Sequence, residues 1–156
     1  MKFLRRRINC AKFLALIKNS IKAGYVYKSD FYVSDVGIFQ RNVTSFIFNN
    51  IYLHELDIFM VLLAKSFKKG KTRRKIWKVD SKDPFDPNFR RLYYIRYVDD
   101  FVVSILGSRK DIVDIQTKIS SFLLDEFKLD LHNEKMFITR FRKTAIYFLG
   151  VFIKDN

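Results

Sequence analysis

Little in this sequence punctuates the chain. Of 156 residues only five are glycine and two proline, and a single residue, Cys10, is cysteine. A lone cysteine excludes an internal disulfide and fits a reducing compartment. No unbroken apolar run reaches the roughly 18 residues that span a bilayer. The longest, residues 58–64, reads as a buried helix face. Acids are thin as well: 16 Asp and Glu stand against 30 Lys and Arg, and none precedes Asp30. No metal-ligand partner is spaced with His54, which reads as a surface or boundary residue, and His132 begins a turn. No internal repeat is visible.

What is present is aromatic and basic. Phenylalanine occurs 17 times, and the abundance of Phe, Ile, Asn and Lys suits an AT-rich, organellar type of gene. The formal net charge is +14, with a pI near 9.9. Such an excess favours a polyanionic partner, nucleic acid first and an anionic membrane surface second. The length suggests one domain, or a piece of one, over 1–156.

Two basic clusters stand out. Leu4, Ile8, Phe13, Leu14, Ile17 and Ile21 recur at roughly helical spacing, which predicts a helix over 3–23 stopped by Gly24. Arg5, Arg6 and Arg7 would lie on its first turns, where they oppose the helix dipole and ask for an external anion. The basic, acid-poor N-terminus resembles a targeting peptide, but is read as part of the mature fold. The second cluster, Lys68, Lys69, Lys71, Arg73, Arg74, Lys75, Trp77 and Lys78, holds no acid. Cations with one aromatic suit an RNA-binding loop, pairing phosphates and stacking a base. It belongs to a loop expected over 68–91, and residues 80–88 carry no helix or strand signal.

Between the clusters, residues 43–67 read as a long helix on which Phe46, Ile47, Asn50, Ile51, Phe59, Leu62 and Leu63 can share a face, with Glu55 and Asp57 on or near its exposed side. Short β-like pieces fall at 25–27 and 31–33. Beyond residue 91, aromatic and β-branched runs flank Asp99-Asp100, a pattern of strand, tight turn, strand. Two adjacent carboxylates repel each other, and a divalent cation such as Mg²⁺ relieves the repulsion. Ser108, with Asp111 three residues on, caps a helix over about 109–127 whose stripe Ile112, Ile115, Ile119, Phe122 and Leu123 is core. Residues 129–131, 137–141 and 146–153 read as strands.

The longer string Tyr97-Val98-Asp99-Asp100 resembles the Tyr-x-Asp-Asp signature of reverse transcriptases. Gly107-Ser108, the helix, Lys128-Leu129-Asp130-Leu131, Asn133-Glu134-Lys135 and Phe148-Leu149-Gly150 follow in the order seen in group II intron reverse transcriptases, also called maturases. Upstream, Asn50 to Asp57 resembles the helix after that family's Pro-Gln-Gly motif, and Lys22-Ala23-Gly24-Tyr25 the segment before it. There are departures. Gly37-Ile38-Phe39-Gln40-Arg41-Asn42 stands where the family has Gly-Thr-Pro-Gln-Gly, Ser45-Phe46 replaces Ser-Pro, and Met136 follows Lys135 where a Thr is usual. Arg41 adds bulk and charge where the family's backbone approaches a nucleotide.

The resemblance implies an α+β fold, an incomplete reverse-transcriptase palm with a small, mainly antiparallel sheet and helices on one face. It implies Asp99 and Asp100 as catalytic carboxylates and Mg²⁺ ligands, and Lys135 as a residue near the nucleic acid strand. The family's further metal-binding Asp, on an earlier palm strand, has no counterpart here, nor do fingers and thumb. The expectation is therefore RNA binding without polymerisation, Mg²⁺ being a cofactor only if a partner restores catalysis. The host would be a ribonucleoprotein, foremost an organellar ribosome, with neighbouring proteins covering the open sheet edge. The alternative is a piece of a split maturase acting on intron RNA. The corresponding location is the mitochondrial matrix, or else the chloroplast stroma. A peripheral membrane role ranks far below, because the aromatics follow strand patterns rather than a basic amphipathic helix.

Overall fold

The structure is a computed structural model. It describes residues 1–32, 45–70, 72–76, 79–82, 86–129, 131, 137–140 and 144–154. Two compact units divide the chain, Met1–Glu55 and Leu56–Asn156, and the division falls inside one helix. The fold class is α+β, with every described strand pair antiparallel.

In the first unit, helix α1 (Lys2–Arg5) and helix α2 (Ala11–Lys22) replace the single helix expected over 3–23. The chain breaks between them, with Cys10 extended at φ −78°, ψ 105°. Asn9 just before it favours such a break, since its short amide competes for backbone hydrogen bonds. The arginines thus lie at the C-terminal end of α1, Arg5 as its last residue and Arg6 and Arg7 just beyond, where a helix dipole favours cations, and the expected opposition does not arise. Leu4, Leu14 and Ile17 form a small core with Ile8, Ile21 and Phe48 packed against it. Gly24 ends the segment at φ 73°, and a Cβ there would come within 2.5 Å of the Tyr32 carbonyl oxygen. Strands β1 (Tyr25–Tyr27) and β2 (Asp30–Tyr32) then pair through Lys28 and Ser29, both at positive φ.

Helix α3 (Ser45–Phe67) is the long helix that the apolar run predicts. Leu53, Leu56, Met60 and Leu63 recur at i, i+3, i+7 and i+10, and all are buried, which is the spacing of one helix face. This corrects the expected face: Phe46, Ile47, Ile51 and Leu62 are exposed, and so are Ile58 and Val61, so the run 58–64 is not buried as a whole. By length and composition alone α3 would also suffice to cross a bilayer; Asp57 within it is engaged elsewhere, as described below.

In the second unit, β3 (Thr72–Ile76) and β4 (Val79–Lys82) pair as an antiparallel ribbon with an irregularity between Thr72 and Arg74. This corrects the loop expected over 68–91 and the absence of strand expected from residue 80. Lys disguises a strand pattern because it is depleted in strands on average. Strands β5 (Arg91–Tyr97) and β6 (Asp100–Leu106) pair along their full length, from Arg91 opposite Leu106 to Tyr97 opposite Asp100. Helix α4 (Arg109–Phe122) runs into a π-helical turn (Leu123–Phe127), closed by Lys128 at φ 56°. Ile115, Ile119, Leu123 and Phe127 are buried. Phe122 stacks on Phe59 of α3 with centroids 4.1 Å apart and planes at 8°.

Residues 146–153 form two strands rather than one: β7 (Ile146–Phe148) and β8 (Val151–Ile153), joined by Leu149 at φ 52° and Gly150 at φ 82°. Two successive positive φ values make a tight hairpin turn, which a central Gly favours. The described residues of 129–131 and 137–141 adopt no strand. Phe137 and Ile138 are largely exposed, and an apolar run without a partner strand gains neither ladder bonds nor burial. Among the described residues the strands thus pair as four separate hairpins.

Candidate functional site

The acidic turn is closed by Val98 and Asp99, because Asp100 already pairs with Tyr97 as the first residue of β6. Val98 has φ 57°. A β-branched residue in the left-handed region is a strained one, at a cost on the order of 1–3 kcal/mol. Such a conformation persists only where its surroundings hold it, and here they are specific. The Arg96 guanidinium donates from Nη1 to the Val98 carbonyl oxygen at 2.6 Å. Its Nε and Nη2 donate to the two carboxylate oxygens of Asp57 on α3, at 2.8 Å and 2.6 Å. The Tyr94 hydroxyl donates to Asp57 Oδ1 at 3.0 Å.

The pattern of β5 dictates this convergence. Side chains alternate along a strand, so Leu92, Tyr94 and Arg96 share one face. Leu92 is buried, and the Arg96 side chain is only 9 % exposed. A bidentate, charge-assisted pair between a fork-shaped cation and a carboxylate is among the stronger polar contacts in proteins. The electrostatics agree. Burial, then the Asp57 hydrogen bond and charge, push the Tyr94 phenol well above its ordinary range. The Asp57 hydrogen bond leads in holding Arg96 more firmly protonated than usual. Asp57 was expected on or near the exposed side; it is half-buried and bound to β5.

Asp99 and Asp100 are both exposed at the tip of this braced hairpin. They offer two hard oxygen donors. Among the described residues no group of three or more His, Cys, Asp or Glu gathers as a metal site. The pair alone is two carboxylates, fewer ligands than a hard divalent cation takes.

The basic residues fall into two groups. Arg5, Arg6 and Arg7 are exposed in the first unit. Arg6 forms an ion pair with Glu55 and lies over the Phe3 ring at 5.3 Å. In the second unit, Lys68 and Lys69 are exposed just beyond α3, and Lys69 bridges to Arg90 through two backbone hydrogen bonds of 3.2 and 3.1 Å. Arg73, Arg74 and Lys75 follow on β3. Lys71, Trp77, Lys78 and Lys135 lie outside the described residues, as does the segment from Gly37 to Asn42.

Two arginines at the start of β5, Arg90 just before it and Arg91 its first residue, carry no motif and were missed by sequence reasoning. Arg91 is 4 % exposed. Its Nη1 donates to the carbonyl oxygens of Lys69 at 2.5 Å and Arg90 at 2.7 Å, and its guanidinium covers the Phe89 ring at 4.0 Å. It fixes the root of the basic ribbon. Arg90 pairs with Asp111 at 2.6 Å, tying that root to the start of α4. The signal that could have found Asp57 was an acid within an apolar helix, a feature that asks for a buried partner.

No family model matches the chain. It is 29 % identical over 177 aligned residues to the COX1/OXI3 intron 1 protein of Saccharomyces cerevisiae, covering 96 % of this chain and 21 % of that protein. It is 26 % identical over 181 residues to the same yeast's COX1/OXI3 intron 2 protein, covering 97 % and 21 %. With the group II intron-encoded protein LtrA of Lactococcus lactis it shares 27 % identity over 184 residues, covering 95 % and 31 %. The chain thus spans about a fifth to a third of the length of these relatives.

Proposed function

Because this chain is related over nearly its whole length to group II intron-encoded proteins, we propose that it is an RNA-binding unit that acts on intron RNA and does not polymerise DNA by itself. The relationship to intron-encoded proteins carries the reading. The ribosomal component expected from the sequence gains no support from these relatives, whereas the intron alternative does. A mitochondrial home goes with the COX1/OXI3 origin of the yeast relatives, and within it the matrix is the compartment proposed.

The two basic clusters supply the RNA contacts. Arg5 and Arg7 act with Arg6 in the first unit, and Lys68, Lys69, Lys71, Arg73, Arg74, Lys75 and Lys78 act with Trp77 in and around the ribbon. Phosphates neutralised by such cations release counterions, which gives affinity without sequence choice. Asp99 and Asp100 are the residues that would hold Mg²⁺, with RNA phosphates completing the shell. The chemistry attached to that ion in the family is activation of a primer hydroxyl, but no polymerising step is assigned to this chain. Neighbouring polypeptide covers the open strand edges, which otherwise invite pairing.

Crosslinking in the native organelle, followed by sequencing of the attached RNA, tests this. Intron RNA at residues 68–78 is the expected result; ribosomal RNA would move the protein to the ribosome, and no RNA at all would end the proposal. Primer extension by the purified chain is expected to be absent, and robust extension abolished by Asp99→Ala would overturn the second half of the reading.

A further inference from the structure

We propose that Asp57, acting through Arg96, is a positioning residue of the acidic turn: it holds Val98 in the left-handed region and so fixes where Asp99 and Asp100 stand. This goes beyond the function proposed above and does not depend on what the turn binds.

The geometry is a chain of three attachments. Asp57 grips the Arg96 fork at both carboxylate oxygens, at 2.8 and 2.6 Å. Tyr94 donates to Asp57 Oδ1 at 3.0 Å. Arg96, locked by that grip, donates to the Val98 carbonyl oxygen at 2.6 Å. That carbonyl belongs to the residue at φ 57°. Relaxing Val98 toward the β or right-handed region rotates the peptide plane that carries its carbonyl, and this would break the bond from Arg96. The Arg96 side chain is only 9 % exposed, so losing that acceptor costs part of its desolvation. Relaxation is therefore opposed at its first step. The turn lies between Arg96 and Asp100 in the chain, so the conformation of Val98 sets the direction in which both acids leave the hairpin.

A structural pair of this kind could instead serve only to hold β5 on α3. The two roles separate at Val98. If Asp57 merely docks the strand, its loss loosens the strand whatever occupies position 98. If it positions the turn, glycine at 98 makes it dispensable for the turn, because glycine adopts the left-handed region without strain.

The test uses the full chain, isotopically labelled, and reads amide resonances together with the intraresidue amide–Hα Overhauser effect, which is strong when φ is positive. In the parent protein Val98 shows the strong effect. In Asp57→Asn the effect weakens and the amides of Val98, Asp99 and Asp100 shift or broaden, while those of β7 and β8 stay in place. In the Val98→Gly background, Asp57→Asn leaves the Asp99 and Asp100 amides unmoved. Unchanged turn resonances in Asp57→Asn, or an equal displacement in both backgrounds, would overturn the proposal. Should Asp57→Asn fail to fold, Tyr94→Phe removes one hydroxyl from the same clamp. It is expected to move the three turn amides in the same direction by less, and no movement would be equally fatal.

Discussion

At the scale of single residues, Tyr94 offers a direct reading of how dry the contact between α3 and β5 is. Its phenol is pushed up by burial first and by Asp57 second. A group whose pKa is raised by folding contributes stability that is fully present below its unfolded value, near 10 for a tyrosine. That stability is lost as pH climbs from there through the folded value. Burial raises the Tyr52 phenol as well, so alkaline titration followed by phenolate absorbance should show a late phase that ionises only as the protein unfolds, and Tyr94→Phe should diminish it. Ionisation of all eight tyrosines in one ordinary wave, before unfolding, would contradict the described contact. The sequence displayed Tyr94, Arg96 and Asp57 plainly but not their meeting. Partners 37 and 39 residues apart leave no periodic trace, whereas the strand, turn and strand around Asp99-Asp100 were readable because a hairpin is local.

At the scale of elements, α4 shows what local signals convey. Ser108 and Asp111 form a reciprocal capping box, the Asp111 amide donating to Ser108 Oγ at 3.2 Å and the Ser108 amide to Asp111 Oδ2 at 2.7 Å. Ser108→Ala should cost about 1 kcal/mol in urea unfolding. The bonds from Ser108, and secondarily Arg90, hold the Asp111 carboxyl below its usual range. Its contribution is present above the ordinary carboxylate pKa and lost as pH falls toward the folded value, so Asp111→Asn should flatten the acid limb of the stability profile. Cap and apolar stripe both lie within one stretch of sequence, which is why this helix was legible. The split of residues 146–153 was less so, since it hinges on Leu149 and Gly150 taking positive φ together, and an apolar run conceals a turn. The basic ribbon was hidden by its charge, although Trp77 and Ile76 beside Val79 hinted at a strand pair.

At the scale of the whole molecule, 30 cations against 16 acids make any RNA affinity salt-dependent, with a log–log slope of roughly −0.7 to −0.9 per phosphate neutralised. Replacing Arg73, Arg74 and Lys75 together by Gln should reduce that slope by about 2 to 3 if each meets a phosphate, measured by filter binding across a salt series. An unchanged slope would place the RNA elsewhere on the protein. Formal charge, however, counts Arg6 as if it were available, and the structure pairs it with Glu55. An acid that already occupies an arginine competes with RNA for it, so Glu55 is an internal rival ligand as well as a surface residue. The exposed pair is worth under about 1 kcal/mol, which corresponds to a factor of a few in binding. Glu55→Gln is thus a gain-of-affinity change, expected to tighten RNA binding about two- to fivefold at low salt and to lose that advantage as added ions take over the competition.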